Sequence, residues 1–397
     1  MSLPAPRRAA QGAPKSASNS ALWALLAGNF VIGTGVMVVP GTLNEISSSL
    51  SISVATSGQL ITAAAVVMCI GAPLLAAAVA GWDRRRLLAL TMLWYAAGHA
   101  LSALMPSFGA LLPVRMLTVI APAIFTPQAA ACAGLLVPPE QRGRAVTFVF
   151  LGWSMASVLG LPIGALIGGY LGWRMAFMAI AFLSVASATS IWLTMPNAVR
   201  PVALTAAAWS RVLRSPVLMG IVTVTALQGT GQFVLSSYFG PILKQSYGAD
   251  ATTLSLIWAL FGVFGLLGNM LVSRFIDRIG AGRMVLVTTA LITLSLLLWP
   301  LASTLAWLAV VLVPWGLGCF ATNSAQQARL VGLAPTLAPG SVALNSSGIY
   351  TGQAVGAALG GWLLANDAAA WMSWVGFGVL MVAMVLSVAI DRSGRPG

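Results

Sequence analysis

MVLVTTALITLSLLLWPLASTLAWLAVVLVPWGLGCFATNSAQQA, residues 284–328, runs for 45 residues without a charge. A membrane-crossing helix needs about 20 predominantly apolar residues, because the hydrocarbon core is roughly 30 Å thick. The run is therefore long enough for two crossings, and Trp299-Pro300-Leu301-Ala302-Ser303 breaks it near the middle. Charge is costly in hydrocarbon, so the same reading extends in both directions. Further charge-free runs cover 16–44, 46–82, 87–114, 116–139, 145–173, 175–199, 215–243, 251–273, 330–366 and 368–390. The longest of these, 46–82 and 330–366, open on polar or Pro/Gly-rich stretches (47–53 and 334–341) and hold one crossing each. The count is twelve helices.

Composition leads to the same class. Of 397 residues, 59% are hydrophobic and 7% charged, and the mean hydropathy is +0.93. Soluble domains carry about 25% charged residues, so a soluble enzyme is excluded. The net charge of +13 gains its meaning from its distribution. With the amino terminus inside, seventeen basic residues fall on the cytoplasmic side, only Arg174 and Lys244 fall outside, and Arg115 stays within a span. Positive charge accumulates in cytoplasmic loops. The excess is therefore a topology signal that puts both termini in the cytoplasm, and no nucleic-acid partner is expected.

Residues 1–19 are Pro/Ala/Ser-rich and read as a disordered tail, followed by a first helix retained rather than cleaved. Cys69, Cys132 and Cys319 lie in apolar segments and form neither a disulfide framework nor a metal set. The longest polar interval, 196–215, separates a bundle at 20–195 from a second at 216–391, with a short tail at 392–397. The halves repeat. Asp83-Arg84 follows helix two and Asp277-Arg278 follows helix eight. Small residues recur every four positions in helix five (Gly152, Ala156, Gly160, Gly164, Gly168) and in helix eleven (Gly348, Gly352, Gly356, Gly360). Such stripes lie on one helix face and let backbones approach closely. The fold class read from these patterns is an all-α membrane protein of two pseudo-symmetric six-helix bundles.

Polar residues inside the spans carry the functional reading. Arg115 at mid-span costs roughly 2.5–3.5 kcal/mol on insertion scales, and no acid shares its span. Its roles are capping carbonyls around the kinks at Pro113 and Pro122 or lining a hydrated cavity, as substrate ligand or as modulator of a proton site. His99, the one histidine, is either a hydrogen-bonded packing residue or a titrating group, since imidazole ionises near neutrality. Glu45, at the outer end of helix one, is the other proton-coupling candidate. All seven acids lie at loops or helix ends, so a cationic substrate lacks a counter-ion and a neutral or anionic one is expected. There is no catalytic constellation, no phosphate-binding loop and no metal or cofactor set.

SRFIDRIGAGR (273–283), GWDRRRLL (81–88), Arg115 in ALLPVRMLTVIAP, PPEQRGRA (138–145) and VLGLPIGALIGGYLGWR (158–174) together resemble the major facilitator superfamily, in its bacterial drug and sugar efflux branch of twelve-helix proton antiporters. The resemblance covers residues 20–390. It implies that Asp83, Arg84, Asp277, Arg278 and Arg283 act as a conformational switch, the alternative being solvated surface pairs. It also implies that Gly160, Pro162, Gly164 and Gly168 form the glycine-proline signature that accompanies export; Leu161 separates Gly160 from Pro162, where the usual form has them adjacent. Many relatives carry a proton-bearing acid in a Gly-Thr-X-Glu pattern, whereas this chain reads Gly33-Thr34-Gly35-Val36.

In that fold helices one, four, seven and ten line a central cavity, with help from five, eight and eleven. The candidate ligands are then Asn29, Arg115, Gln228, Gln232, Tyr238, Asn323, Gln327, Asn345, Tyr350 and Gln353, the alternative for each being an interhelical hydrogen bond. The expectation is a monomeric multi-pass protein of the bacterial inner membrane, in contact with lipid, exporting a small neutral amphiphile in exchange for protons. An uncoupled facilitator or importer is the rival, and a non-transporting sensor or scaffold is the rival of another class.

Overall fold

The computed structural model describes residues 15–79, 81–138, 142–200, 206–334 and 337–393. Among them there is no strand. Twelve helices have the length of a crossing: α1 Lys15–Gly41, α2 Val54–Ala78, α3 Arg84–Leu104, α4 Phe108–Leu135, α5 Phe148–Leu171, α6 Trp173–Thr194, α7 Pro216–Tyr247, α8 Ala251–Ile279, α9 Ala281–Leu298, α10 Leu305–Leu333, α11 Ala338–Ala365 and α12 Met372–Ser393. Among the described residues eleven of these segments are long and apolar enough to cross a membrane. The remaining one, α11, has the length but carries Asn345, Ser346, Ser347, Tyr350, Thr351 and Gln353. Its polarity is the mark of a helix that faces protein rather than lipid.

The helix starts follow local chemistry. Asp83, Ser107, Ser215, Asp250 and Thr304 each accept a hydrogen bond from the backbone N–H three residues on, at the head of α3, α4, α7, α8 and α10. A side-chain oxygen at that position satisfies an N–H the helix leaves free. The turn between α8 and α9 is a single residue, Gly280, at φ +88, a left-handed conformation that needs glycine. α4 breaks at Val119, since Pro122 has no N–H to offer the carbonyl of Thr118. α5 widens into a π turn over Ala156–Gly160 just before Pro162, and the N–H of Leu161 reaches the carbonyl of Ala156.

The two small-residue stripes have equivalent jobs. On α5, Gly152 lies against the backbone of Leu26 and Phe30, Gly160 against Thr34, Gly164 against Val38 and Gly168 against Thr42, all on α1 or just after it. On α11, Gly348, Gly352, Gly356 and Gly360 lie against the carbonyls of Val222, Ala226, Thr230 and Val234 on α7. A Cβ at most of these glycines would enter its neighbour. Helix five thus packs on helix one as helix eleven packs on helix seven, which is the duplication made physical.

The halves meet through α2 against α11 and α5 against α8. The hydroxyls of Tyr170 and Thr252 are 2.8 Å apart. Ser255 donates to the carbonyl of Pro162 at 3.1 Å, and Gly262 lies on the backbone of Ser157 and Val158. Beyond that level, toward the arginine-rich loops, Met270, Leu271 and Phe275 of α8 are exposed. The contact between α5 and α8 is thus densest at the end opposite the basic loops and thins toward them.

Candidate functional site

Arg115 is fully buried. Its Nη2 donates to the carbonyl of Gly35 at 2.7 Å, and its Nη1 lies 3.1 Å from Nε2 of His99. The other imidazole nitrogen, Nδ1, lies 3.1 Å from the carbonyl of Tyr95. These partners dictate the tautomer. A carbonyl can only accept and a guanidinium can only donate, so Nδ1 carries the hydrogen, Nε2 offers its lone pair, and His99 is neutral. Tyr95 donates to the carbonyl of Ile32 at 3.1 Å, and its ring meets His99 edge-on. The guanidinium stands 5.8 Å from the centre of the Phe177 ring, a weak cation–π contact.

Gly35 makes the knot possible. A Cβ there would collide with the Tyr95 hydroxyl and the His99 ring. No carboxylate stands within ion-pairing distance of Arg115 among the described residues. Its Nε has no partner. The residue lines a central cavity of about 10 Å³ together with Val36, Val39, Leu60, Ala64, Val119 and, from the second half, Gln353. That is room for about one water. Val36 forms part of the apolar wall.

The second half brings together five of the expected ligands in two neutral networks, one around Gln228 and one around Asn345. Gln228 donates to Thr289 at 2.5 Å and accepts from Gln326 at 3.3 Å. Gln232 donates to the carbonyl of Gln228 at 3.3 Å and accepts from the indole of Trp315 at 3.4 Å. Asn345 accepts from Thr225 at 2.6 Å and donates to Asn323 at 3.1 Å, which also accepts from Gln327 at 3.4 Å. Gln232, Asn323 and Gln327 are half-buried, whereas Gln228 and Asn345 are buried. Thr225, Thr289 and Gln326 were not anticipated. Gln326 adjoins Gln327 in the sequence, but on a helix adjacent residues point about 100° apart, so only one fell in the expected pair.

Other candidates lie elsewhere. Asn29 is buried within the first half, donating to the carbonyl of Val149 at 3.2 Å and accepting from Thr126 at 2.9 Å; it ties α1 to α4 and α5. Tyr238 sits at the end opposite the basic loops, donating to the carbonyl of Ala357 at 3.0 Å and wedged against Gly58 of α2 and Gly361. Tyr350 is half-buried and packs across the halves on Ala64, Met68, Val119 and Ala123. Glu45 is half-buried on the short helix Leu43–Leu50, where burial raises its carboxyl above the ordinary value and Lys244 of α7 partly offsets that.

At the basic end, Asp83 accepts from the N–H of Arg86 at 3.2 Å and from the N–H of Ala198 at 2.6 Å. Arg84 donates to the carbonyls of Val79 and Trp82 at 2.9 and 2.8 Å. Arg278 and Arg283 are exposed, and the side chain of Asp277 lies outside the described ones. The ion pair of the second half is a different one. Arg329, near the end of α10, is buried; it bonds Asp391 at 2.7 Å and the Ser387 hydroxyl and carbonyl at 3.0 and 3.2 Å. In the sequence Arg329 is one of the seventeen basic residues counted on the cytoplasmic side. Gly160, Gly164 and Gly168 seat α5 on α1, and the carbonyl of Pro162 receives Ser255.

A duplicated bundle of twelve helices, with a buried cation in one half and buried amides in the other, has the architecture of a membrane transporter rather than an enzyme. The sequence profile of the Major Facilitator Superfamily matches residues 25–343 and again 221–396: the chain belongs to this family. A chloramphenicol resistance protein of Streptomyces lividans is 32% identical over 372 residues, 90% of this chain and 92% of that protein. The inner membrane transport protein YdhP of Escherichia coli (strain K12) is 31% identical over 347 residues, 86% of this chain and 88% of YdhP. Among solved structures, an inward-facing, unoccupied bacterial homologue of the human lysosomal transporter Spinster superposes with a TM-score of 0.78 at 17% identity, covering 97% of this chain and 100% of the other. That likeness concerns the fold alone.

Proposed function

We propose that the protein exports small neutral amphiphilic compounds, of phenicol or sugar-metabolite type, across a bacterial inner membrane in exchange for protons. The halves at 20–195 and 216–391 rock about the seam between them, with 196–215 as the cytoplasmic linker, and the chain works as a monomer with both termini in the cytoplasm. Asp83, Arg84, Asp277, Arg278 and Arg283 take the switch role at the basic end. The observation that carries this reading is the chemistry of the seam. In the central cavity Arg115 already has acceptors from its own half, the other lining residues are apolar, and the one further polar group among them is the Gln353 amide. Amides suit the hydroxyl, carbonyl and amide groups of an uncharged ligand, and among the described residues no acid lines the cavity to meet a cationic one. Similarity to a chloramphenicol resistance protein supports the same class.

One observation favours an uncoupled facilitator as the second reading: among the described residues no carboxylate lines the central cavity to carry a proton. Accumulation of a labelled phenicol antibiotic in expressing cells, with and without the proton gradient, decides between them. Export predicts low accumulation that rises when the gradient collapses. Faster equilibration that ignores the gradient supports the facilitator, and accumulation indifferent to expression rules out this ligand class.

A further inference from the structure

His99 and Arg115 depend on one lone pair. The hydrogen on Nδ1 is committed to the carbonyl of Tyr95, so an added proton has one place to go, Nε2, the atom that accepts the bond from Arg115. Once that nitrogen carries a hydrogen, two donors face each other and no bond is possible. Two cations in a dry site also repel. Arg115 would then retain the carbonyl of Gly35 and its contact with the Tyr95 side chain, and it lines the central cavity.

We propose that His99 is a positioning residue that ties the central cavity to a proton: neutral His99 holds Arg115 back, and protonation at Nε2 releases the guanidinium into the cavity, where it displaces a neutral ligand. The step adds one proton from solution to Nε2, breaks one hydrogen bond, and reverses when the proton leaves. With an uncharged ligand the proton and the ligand exclude each other, which is the linkage an exchanger requires. This sign rests on the neutral-substrate reading above. An anionic ligand would pair with the freed arginine and reverse it.

Among the described residues the surroundings contain no competing base. On its own helix His99 faces Tyr95. From α4 it faces Arg115, from α6 the ring of Phe177, and from α1 the backbone at Gly35. Tyr350 of α11 lies within electrostatic reach of Tyr95. None of these is a carboxylate.

The chain has a single histidine, so protein labelled with [15N]histidine, purified on a histidine-free tag and placed in lipid nanodiscs, gives one imidazole to observe by NMR. The expected result is the Nδ1–H tautomer, a measurement that needs no variant. In Arg115→Gln the imidazole should titrate about one pH unit or more above the parent, a tenfold or greater gain in proton affinity. Finding the Nε2–H tautomer, or equal midpoints in parent and variant, overturns the proposal.

Chloramphenicol, with binding followed by tryptophan fluorescence, tests the sign. It should lower the parent midpoint and leave that of Arg115→Gln in place. Binding that raises the parent midpoint, or leaves it unmoved, overturns mutual exclusion. A probe that fails to bind overturns the phenicol reading of the function, while the tautomer and the variant still decide the linkage between His99 and Arg115.

Discussion

The first half sinks a cation into a membrane-spanning segment and satisfies it with neutral acceptors, a carbonyl and an imidazole. The second half buries amides instead, and sets its buried arginine near the basic end against an acid. Both halves share one scaffold, down to the glycine stripes that seat helix five on one and eleven on seven. The scaffold therefore fixes where helices run but leaves polarity free to differ. One half carries an uncompensated charge that can respond to a ligand or a proton. The other carries a matched pair and neutral networks, which can hold a ligand or hold helices together.

Removing the uncompensated charge is the strongest way to break this contrast. Arg115→Ala should abolish transport while membrane insertion stays normal, measured as antibiotic accumulation against the amount of protein in the membrane. It leaves Nε2 of His99 and the carbonyl of Gly35 without their donor, and each stranded acceptor costs about 1–3 kcal/mol. Unchanged transport would refute a role for Arg115 at the seam.

The matched pair should behave in the opposite way, through stability. Asp391→Ala strands the buried Arg329. Breaking a buried pair from one side costs about 3–5 kcal/mol, and the exposure of Asp391, 35% of its side chain, puts this case at or below the low end. The double change Arg329→Met with Asp391→Leu should recover most of the loss in thermal unfolding, since an apolar pair avoids desolvation. If the double variant is no better than the single one, the pair is not an isolated charge match.

The neutral networks should give less. Asn345→Ala cuts the link from Thr225 to Asn323. Interhelical hydrogen bonds in membranes average about 0.6 kcal/mol, so a loss on the order of 1 kcal/mol is expected in unfolding, with a larger relative effect on phenicol affinity. An affinity left untouched while stability drops would assign Asn345 to helix packing alone.

Much of the scaffold was legible in sequence because its signals are local. Charge-free runs and small residues every four positions depend on neighbours along one helix. The bond between His99 and Arg115 was not legible, although both residues stood out, because it depends on how α3 and α4 face each other. Arg329 and Asp391 are 62 positions apart, and each alone looks like a solvated charge at a helix end. The sequence pattern points to Tyr238 as a cavity residue because helix seven lines the cavity in this fold. Its depth along the helix puts it instead at the closed end, against two glycines.

Glu45 tests whether that closed end is electrically neutral like the second half or charge-sensitive like the first. Burial holds its carboxyl above the ordinary value, and Lys244 across the seam pulls it partly back. A raised carboxyl binds its proton more tightly when folded than when unfolded. Stability should therefore rise as the pH falls through the raised value and decline above it, the reverse of a salt-bridged acid. Glu45→Gln should flatten this dependence and be slightly more stable near neutrality, by on the order of a degree in melting temperature. Lys244→Ala, which removes the cation that favours ionisation, should steepen it. A parent whose stability rises with pH over the carboxylate range, and loses that rise in Glu45→Gln, would mean that Lys244 outweighs burial and that the two residues form a true ion pair between the halves.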